Sequence, residues 1–302
     1  MAQIIESIPN ISEGRRKNVI EACVDQIRET PGCTLLDYNP DESHNRTVIT
    51  YIGNADAVEE ASIKLVKKAV ELIDLTKHEG EHPRMGAVDV MPVLPIKECT
   101  TEDCIELSKR IGSRISDETG VPVFLYEDSA TRPERHNLVK IRKGQFEGMP
   151  EKVQEPDWKP DFGGRKIHPT AGVIAVGARP PLVAFNLDLD TENVNIAKNI
   201  AKIIREKDGG FKCVKSMGFM IDDEETGEKY AQVSCNMTNF EQTPLYRVVE
   251  TVKMEAARYG VHVTKTEVIG LCPMKSLIDC AQYYMQINDF DFDSQVLEGR
   301  IL

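Results

Sequence analysis

Several signatures that would fix the class of a protein at once are missing from this sequence. No apolar run reaches the roughly 18 residues that a membrane-spanning helix needs, so no membrane partner is expected. The opening MAQIIESIPNISEGRR carries an acid early and has no apolar stretch of the secretory kind, which predicts a cytoplasmic protein. Eight cysteines (Cys23, Cys33, Cys99, Cys104, Cys213, Cys235, Cys272, Cys280) show no Cys-x-x-Cys spacing. Most fall inside apolar helix or strand patterns and read as reduced core thiols, not as disulfides or a zinc ribbon. No G-x-G-x-x-G follows the first strand pattern and no G-x-S-x-G surrounds a serine, which disfavours a dinucleotide enzyme and a serine hydrolase. There is no lysine or arginine run, and with a net charge of −12 nucleic acid is not an expected partner. An acidic substrate would need a local cluster of cations. What the chain does have is 41% hydrophobic residues over 302 positions, enough for a sizeable core in two domains.

Polar chemistry concentrates at residues 77–90, KHEGEHPRMGAVDV. His78 and His82 sit there with Glu79, Glu81, Arg84 and Asp89, while Pro83 and Gly86 interrupt any regular element. An imidazole in such company moves protons near neutral pH, its unperturbed pKa being about 6.5. The composition fits a solvated connection between a helix and a strand equally well. His78-Glu79-Gly80-Glu81-His82 also satisfies the H-E-x-x-H pattern of zinc peptidases. That chemistry needs both histidines on one face of an intact helix. Here the apolar stripe Val58, Ala61, Leu65, Ala69, Ile73 stops before Thr76, and Pro83 would clash with the Glu79 carbonyl of a continuing helix. A helix that has ended predicts no metal site.

The periodicities predict strands at 3–8, 33–37, 45–52, 88–96 and 121–126. Between them come a helix carrying Val19, Ile20, Cys23, Val24 and Ile27, one capped by Asn54 and running to about Leu75, and one capped by Thr100 or Thr101 and ended by Gly120. Residues 9–14 read as a turn and 38–44 as a polar loop. Residues 127–172 read as a long excursion, irregular except for a short helix near 137–142, and loops of that length are commonly functional. A strand follows at 173–178, and Arg179-Pro180-Pro181 reads as a boundary. Beyond it the pattern predicts a strand at 183–189, a helix at 191–206, a hairpin of 214–221 with 230–236 across 222–228, a helix from Pro244, a strand at 261–271 and a helix at 275–286. The expected fold is α+β: two ferredoxin-like (β-α-β-β-α-β) subdomains, 1–178 and 179–302, with mixed sheets covered by helices and a cleft between them.

A second candidate site is DFGGRKIHPTAG at 161–172. Gly163 and Gly164 let backbone approach a ligand, Arg165 and Lys166 can meet carboxylates, and His168-Pro169 with Gly172 form a kinked segment with one more imidazole. A solvated basic turn would look the same. The segment lacks the Lys-Ser/Thr ending of a phosphate-binding loop. Asn45-Arg46, opening a strand after His44, reads as structural, and His136 and His262 as incidental.

Taken together, CVDQIRETPGCTLLDYNPDESHNRTVITYIG, HEGEHPRMGAVDVMPVLP, EDCIELSKRIGSRISDETGVPVFLYEDSA, PDFGGRKIHPTAGVIAVGAR and AQVSCNMTNFEQTPLYRVVE resemble the glutamate formiminotransferases, folate-dependent enzymes of histidine breakdown. The resemblance runs from about residue 1 to 288 with matching order and spacing. It implies two α+β subdomains in a homodimer, tetrahydrofolate as co-substrate, and no metal. His82 matches the family's catalytic histidine. Gly163, Gly164, Arg165, Lys166, Ile167, His168, Pro169, Thr170, Ala171 and Gly172 match its folate-binding segment. No cyclodeaminase domain is expected at this length. Two positions depart from the family: Gly164 stands where a proline is usual, and Asn39 where some relatives carry an acid, with Asp41 a possible stand-in.

The reaction implied is transfer of a formimino group from N-formimino-L-glutamate to tetrahydrofolate, with His82 as general acid/base tuned by Glu79 or Asp89. Arg84, Asp41 and Asn45 are candidate substrate contacts, and Arg165 and Lys166 would receive the folate's glutamate tail. The alternatives are formyl transfer to glutamate or cyclisation of 5-formyltetrahydrofolate on the same residues, folate binding without catalysis, and, more distantly, the zinc peptidase.

Overall fold

The computed structural model describes residues 3–222 and 227–297. The chain divides into two compact units, one ending at Arg179 and the other starting at Pro180. Both are built of helices and sheets in an α+β manner.

The first unit runs β1 (Ile4–Ser7), β2 (Asn10–Ile11), α1 (Lys17–Arg28), β3 (Cys33–Asp41), β4 (Arg46–Gly53), α2 (Ala55–Leu72), β5 (Val88–Lys97), α3 (Thr101–Thr119), β6 (Val123–Leu125), α4 (Leu138–Arg142), α5 (Gln145–Lys152) and β7 (Ile174–Ala178). β1 and β2 both pair antiparallel with β4 on one side and β5 on the other. β3 pairs with the outer side of β4, while β7 runs parallel to both β5 and β6. The result is a mixed seven-stranded sheet. Alternation along β4 sends Thr47, Ile49 and Tyr51 to the buried face. There Ile49 and Tyr51 join the core formed with Val19, Ile20 and Ile27 of α1, Leu65 and Val66 of α2, and Leu107 and Ile111 of α3. Ile141 of α4 and Met149 of α5 belong to a separate buried cluster with Val90, Phe124, Tyr126 and Ala175. Helix ends follow their sequence signals. The Asn54 side chain accepts from Ala57 N–H, Thr100 and Asp103 make a reciprocal capping box, and Gly120 takes the left-handed conformation at φ +72°.

Three expectations are corrected. Residues 9–14 are not simply a turn, because Asn10 and Ile11 rejoin β4 and β5 after Pro9, which has no N–H to give the ladder. β3 continues through the expected loop to Asp41; as an edge strand with a free side it accommodates Pro40. Residues 145–152 form α5 although Gly148 and Pro150 argue against a helix. Burial of Met149 and the partial burial of Phe146 outweigh that local preference.

The second unit runs β8 (Val183–Leu189), α6 (Val194–Ile204), β9 (Val214–Asp222), β10 (Lys229–Met237), α7 (Leu245–Ala257), β11 (Val263–Ile269), α8 (Met274–Met285) and α9 (Phe292–Gln295). Its sheet, expected to be mixed, is antiparallel throughout, in the order β11-β8-β10-β9: β8 and β9, joined through α6, run the same way but are separated by β10, which the hairpin reverses. The core holds Phe185, Leu187 and Leu189 against Ala197, Ile200 and Ile204 of α6 and Val248 and Val252 of α7. β9 and β10 pair along their whole length as the expected hairpin; residues 223–226 of its connection lie outside the described residues. Among the described residues no helix is long and apolar enough to cross a membrane.

Candidate functional site

The chain between α2 and β5 makes one 3-10 turn at Leu75–Lys77 and is then irregular as far as β5. The helix that an H-E-x-x-H zinc site needs is therefore not present. His78 is also committed on both ring nitrogens. Nε2 lies 2.9 Å from the Asn45 carbonyl, which can only accept, so Nε2 donates, and Nδ1 accepts from Arg84 Nε at 3.3 Å. Burial holds the His78 pKa below its ordinary value. This histidine is a structural clasp. Among the described residues no group of three or more His, Cys, Asp or Glu is arranged to hold a metal ion.

Asn45 completes the clasp from the other side. At φ +50° its side-chain oxygen accepts from Gly14 N–H at 2.9 Å, and its amide donates to the Glu79 carbonyl at 2.8 Å. Gly80 lies so close that a Cβ there would sit 2.5 Å from the His44 carbonyl oxygen. Asp41 is occupied within the β3–β4 turn, bonded to Ser43 Oγ, to His44 N–H and, at 2.7 Å, to His44 Nδ1. Burial alone would raise its pKa, but these hydrogen bonds prevail and hold it at about 2.

The two candidate stretches of the sequence meet. Ala87 N–H donates to the Ala171 carbonyl at 3.0 Å, Val173 N–H to the Met85 carbonyl at 3.0 Å, and Leu75 N–H to the Thr170 carbonyl at 2.8 Å. Gly86 and Gly172 face each other as a bridge pair. Neither tolerates a side chain: a Cβ on Gly86 would lie 2.0 Å from the Val173 carbonyl oxygen, and one on Gly172 (φ +67°) 2.1 Å from that of Met85. Residues 168–172 form a tight turn closed by mutual His168–Gly172 backbone bonds, with His168 Nδ1 accepting from Ala171 N–H at 3.0 Å. The head of the segment is fixed by Asp161, which accepts from buried Arg135 at 2.6 Å and from Leu125 N–H at 2.8 Å. Arg165, expected to receive the folate's glutamate tail, turns instead to the carbonyls of Val153, Gln154 and Glu155 at the end of α5 and anchors the segment there. Gly163, Gly164, Lys166 and Pro169 are exposed, Ile167, like Trp158 and Leu138, packs against the buried cluster of Ile141 and Met149, and Ala171 is buried.

His82 is 8% exposed, and its ring makes no hydrogen bond among the described residues. Burial, then the positive charges of Arg142 and Arg46, with His44 and His78 behind them, push its pKa down to about 3. The expected tuning by a carboxylate is thereby corrected. Glu79 is exposed, and Asp89 is taken, receiving Met85 N–H at 2.8 Å and Arg142 Nε at 2.7 Å. Burial raises the Asp89 pKa against the pull of Arg142. A register shift where β2 pairs with β5, between Asn10 and Ile11 on the β2 side, lies opposite Asp89. Such irregularities re-aim side chains at sites of function. Arg84 is likewise committed, its guanidinium holding both carboxylate oxygens of Glu147 at 2.9 and 2.7 Å. A substrate carboxylate at Arg84 would have to displace Glu147.

Sequence reasoning missed Arg46 and Arg142 as site residues. Arg142 gave no signal, since only the fold brings the end of α4 to His82. Arg46 gave a weak one, standing beside Asn45 at the start of an alternating strand. A cavity of about 470 Å³ opens next to the clasp, lined by Glu13, Arg15, Arg16, Lys77, Asn45 and His78 among others, but His82 does not line it.

Two outcomes are expected. Gly172→Ala forces the left-handed backbone and the Met85 overlap together, and thermal unfolding should show a loss well above the ~1 kcal/mol of a strained glycine replacement. An unchanged melting temperature would mean that the two loops are not locked as described. His82 takes its proton near pH 6.5 when unfolded but near 3 when folded, so acid favours the unfolded chain. Stability is lost as pH falls from about 6.5 toward 3, by at most ~1.4 kcal/mol per pH unit from this group. The fall in melting temperature over that window should be shallower in His82→Gln, and parallel curves would contradict the burial of a neutral ring.

Residues 4–179 match the family described as "Formiminotransferase domain, N-terminal subdomain", and residues 184–296 match "Formiminotransferase domain". The chain is 59% identical over 302 residues to a glutamate formimidoyltransferase of Streptococcus pyogenes serotype M1, covering 100% of both chains. It is 41% identical over 300 residues to one of Thermoplasma acidophilum, covering 99% of this chain and 97% of that one. It is also 41% identical over 292 residues to the formimidoyltransferase-cyclodeaminase of Gallus gallus, covering 95% of this chain and 53% of that protein. Both interlocked loops fall inside the N-terminal match, and with its two halves matched in succession the chain belongs to the formiminotransferase family.

Proposed function

We propose that this transferase moves the formimino group of N-formimino-L-glutamate to N5 of tetrahydrofolate, giving 5-formiminotetrahydrofolate and L-glutamate in histidine degradation, with His82 carrying the proton and residues 163–172 receiving the folate. The observation that carries the assignment of roles is the direct backbone pairing of the His82 loop with residues 170–173. A folate lying on one stretch would be next to a proton carrier on the other.

The chemistry asks for one proton to be relocated. N5 attacks the amidine carbon, a C–N bond forms, and N5 must lose its hydrogen. The tetrahedral adduct then breaks its bond to the glutamate nitrogen, which must gain one. A neutral imidazole that first accepts and then donates balances both steps and is regenerated. The depressed pKa of His82 supplies that neutral form at the start. As written, the step draws on no metal ion. Lys166, exposed and without an ion pair among the described residues, is the cation we assign to the folate's glutamate tail, whereas Arg165 anchors the segment to α5. Arg84 and Asn45 act by holding the loop in place, and Asp41 by fixing the β3–β4 turn.

The same reading takes both units as ferredoxin-like, which the strand order β11-β8-β10-β9 of the second supports, and the working form as a cytoplasmic homodimer. Eight free cysteines fit a reducing compartment.

The test is direct. Purified chain incubated with tetrahydrofolate and N-formimino-L-glutamate, then acidified, should develop the absorbance of 5,10-methenyltetrahydrofolate. His82→Ala should lower the rate by about 10²–10⁴-fold. Consumption of 5-formyltetrahydrofolate with no formimino transfer would move the assignment to the neighbouring folate reaction, and full turnover in His82→Ala would remove its role.

A further inference from the structure

Unpartnered polar atoms are uncommon in a buried setting, and two of the three found among the described residues lie close together on one face of the first unit's sheet. They are Arg46 Nε and Asn10 Oδ1. Thr47, Ile49 and Tyr51 of β4 point to the helices α1–α3, so Arg46 and Val48 point the other way. Asn10 of β2 stands directly opposite Val48 and also opposite Val90 of β5. Asn10 and Arg46 are therefore diagonal neighbours on that face, with Cβ atoms about 7 Å apart in regular pairing. Val90 shares a cluster with Ile141 of α4, the helix that brings Arg142 to His82.

We propose that Arg46 and Asn10 form the subsite for the amino-acid end of the substrate, Arg46 holding the α-carboxylate and the Asn10 amide oxygen accepting the adjacent substrate N–H. The proposal rests on the transferase reading above and deepens it.

Each buried polar atom left without a partner costs about 1–3 kcal/mol, a cost that a ligand removes when it supplies the missing bond. The two orphans are complementary to one chemical class. Arg46 offers a donor with positive charge, and Asn10 an acceptor. An N-substituted α-amino acid carries a carboxylate and an N–H on the same carbon. The other arginines around His82 are not available: Arg84 is paired with Glu147 and Arg142 with Asp89. The Arg46 side chain makes no hydrogen bond or ion pair among the described residues, and the oxygens of its cross-strand neighbour Asp41 are engaged with Ser43 and His44.

Occupation of the subsite has a consequence for His82. Around that ring stand Arg46 from β4, Arg142 from α4, His44 from the β3–β4 turn and His78 from its own loop, with Asp89 and Asp41 held by their own partners. A carboxylate on Arg46 offsets one of the two guanidinium charges and raises the proton affinity of the imidazole while substrate is bound. The substrate thereby makes its own base stronger.

The test uses the full chain and the variants Arg46→Met, Arg46→Lys and Asn10→Ala, with KM and kcat measured separately for both substrates. Arg46→Met should raise KM for N-formimino-L-glutamate by about 100-fold, with KM for tetrahydrofolate within twofold. Arg46→Lys should recover part of the loss, and Asn10→Ala should raise the same KM about tenfold. Its melting temperature gives the second readout. An arginine kept for structure would lower it on replacement, whereas removal of an orphaned buried donor should leave it equal or higher. Calorimetric titration of each protein with N-formimino-L-glutamate alone reads the subsite without turnover. Binding to wild type that survives Arg46→Met, a rise in the folate KM instead, or a melting temperature lowered in Arg46→Met with the amino-acid KM intact, each overturns the proposal. Wild-type protein that binds the amino acid through Arg46 yet transfers nothing to folate would overturn the transferase reading and leave the subsite standing.

Discussion

The site depends on a contact that has no room for a side chain. Gly86 and Gly172 face each other so closely that a Cβ on either would overlap a carbonyl of the opposite loop. Around that point the Met85–Val173 and Ala87–Ala171 bonds form an antiparallel bridge just before β5 and β7, which themselves run parallel. Two irregular loops become, in effect, one short pleat. Loops ordinarily carry the lowest local stability in a fold, and a backbone ladder is the means by which a catalytic group on a loop can be held as firmly as one on a strand.

Electrostatics then set what that loop can do. The ordinary device for activating a histidine is a carboxylate bonded to one ring nitrogen. Among the described residues Asp89 holds a fully buried carboxylate near His82, and Arg142 claims it. The ring is left among arginines with its proton affinity low. For a transfer that both removes and returns a proton, this arrangement has a clear logic. The resting imidazole is neutral, and in the proposed transfer it accepts the proton and becomes a better base as the substrate's negative charge enters. On the proposed roles, reactivity is tied to the presence of an anionic substrate.

Much of this was legible in the sequence, and the failures are instructive. Asn54, Thr100 and Gly120 announced helix ends because capping is a local matter of one side chain and one or two backbone groups. The second unit's β-α-β-β-α-β order followed from its periodicities. Pro9, Pro40 and Pro150 misled in three ways, each because a tertiary neighbour absorbed what proline breaks: flanking strands around Asn10, an unpaired edge at β3, a packed core under α5. At the site, His82 as proton carrier and residues 163–172 as folate segment are proposed from their composition and from the family resemblance. Arg142, Arg46, the clasp made by His78 and the pairing of Arg84 with Glu147 could not be foreseen this way, since long-range contacts have no local signature.

The most direct measurement is an NMR titration of the His82 ring in selectively histidine-labelled protein, free and then saturated with N-formimino-L-glutamate. The account predicts a ring that stays neutral in the free protein down to about pH 3 and whose pKa moves upward when the anionic substrate binds. A ring titrating near the ordinary value of about 6.5 in the free protein, and indifferent to substrate, would contradict it.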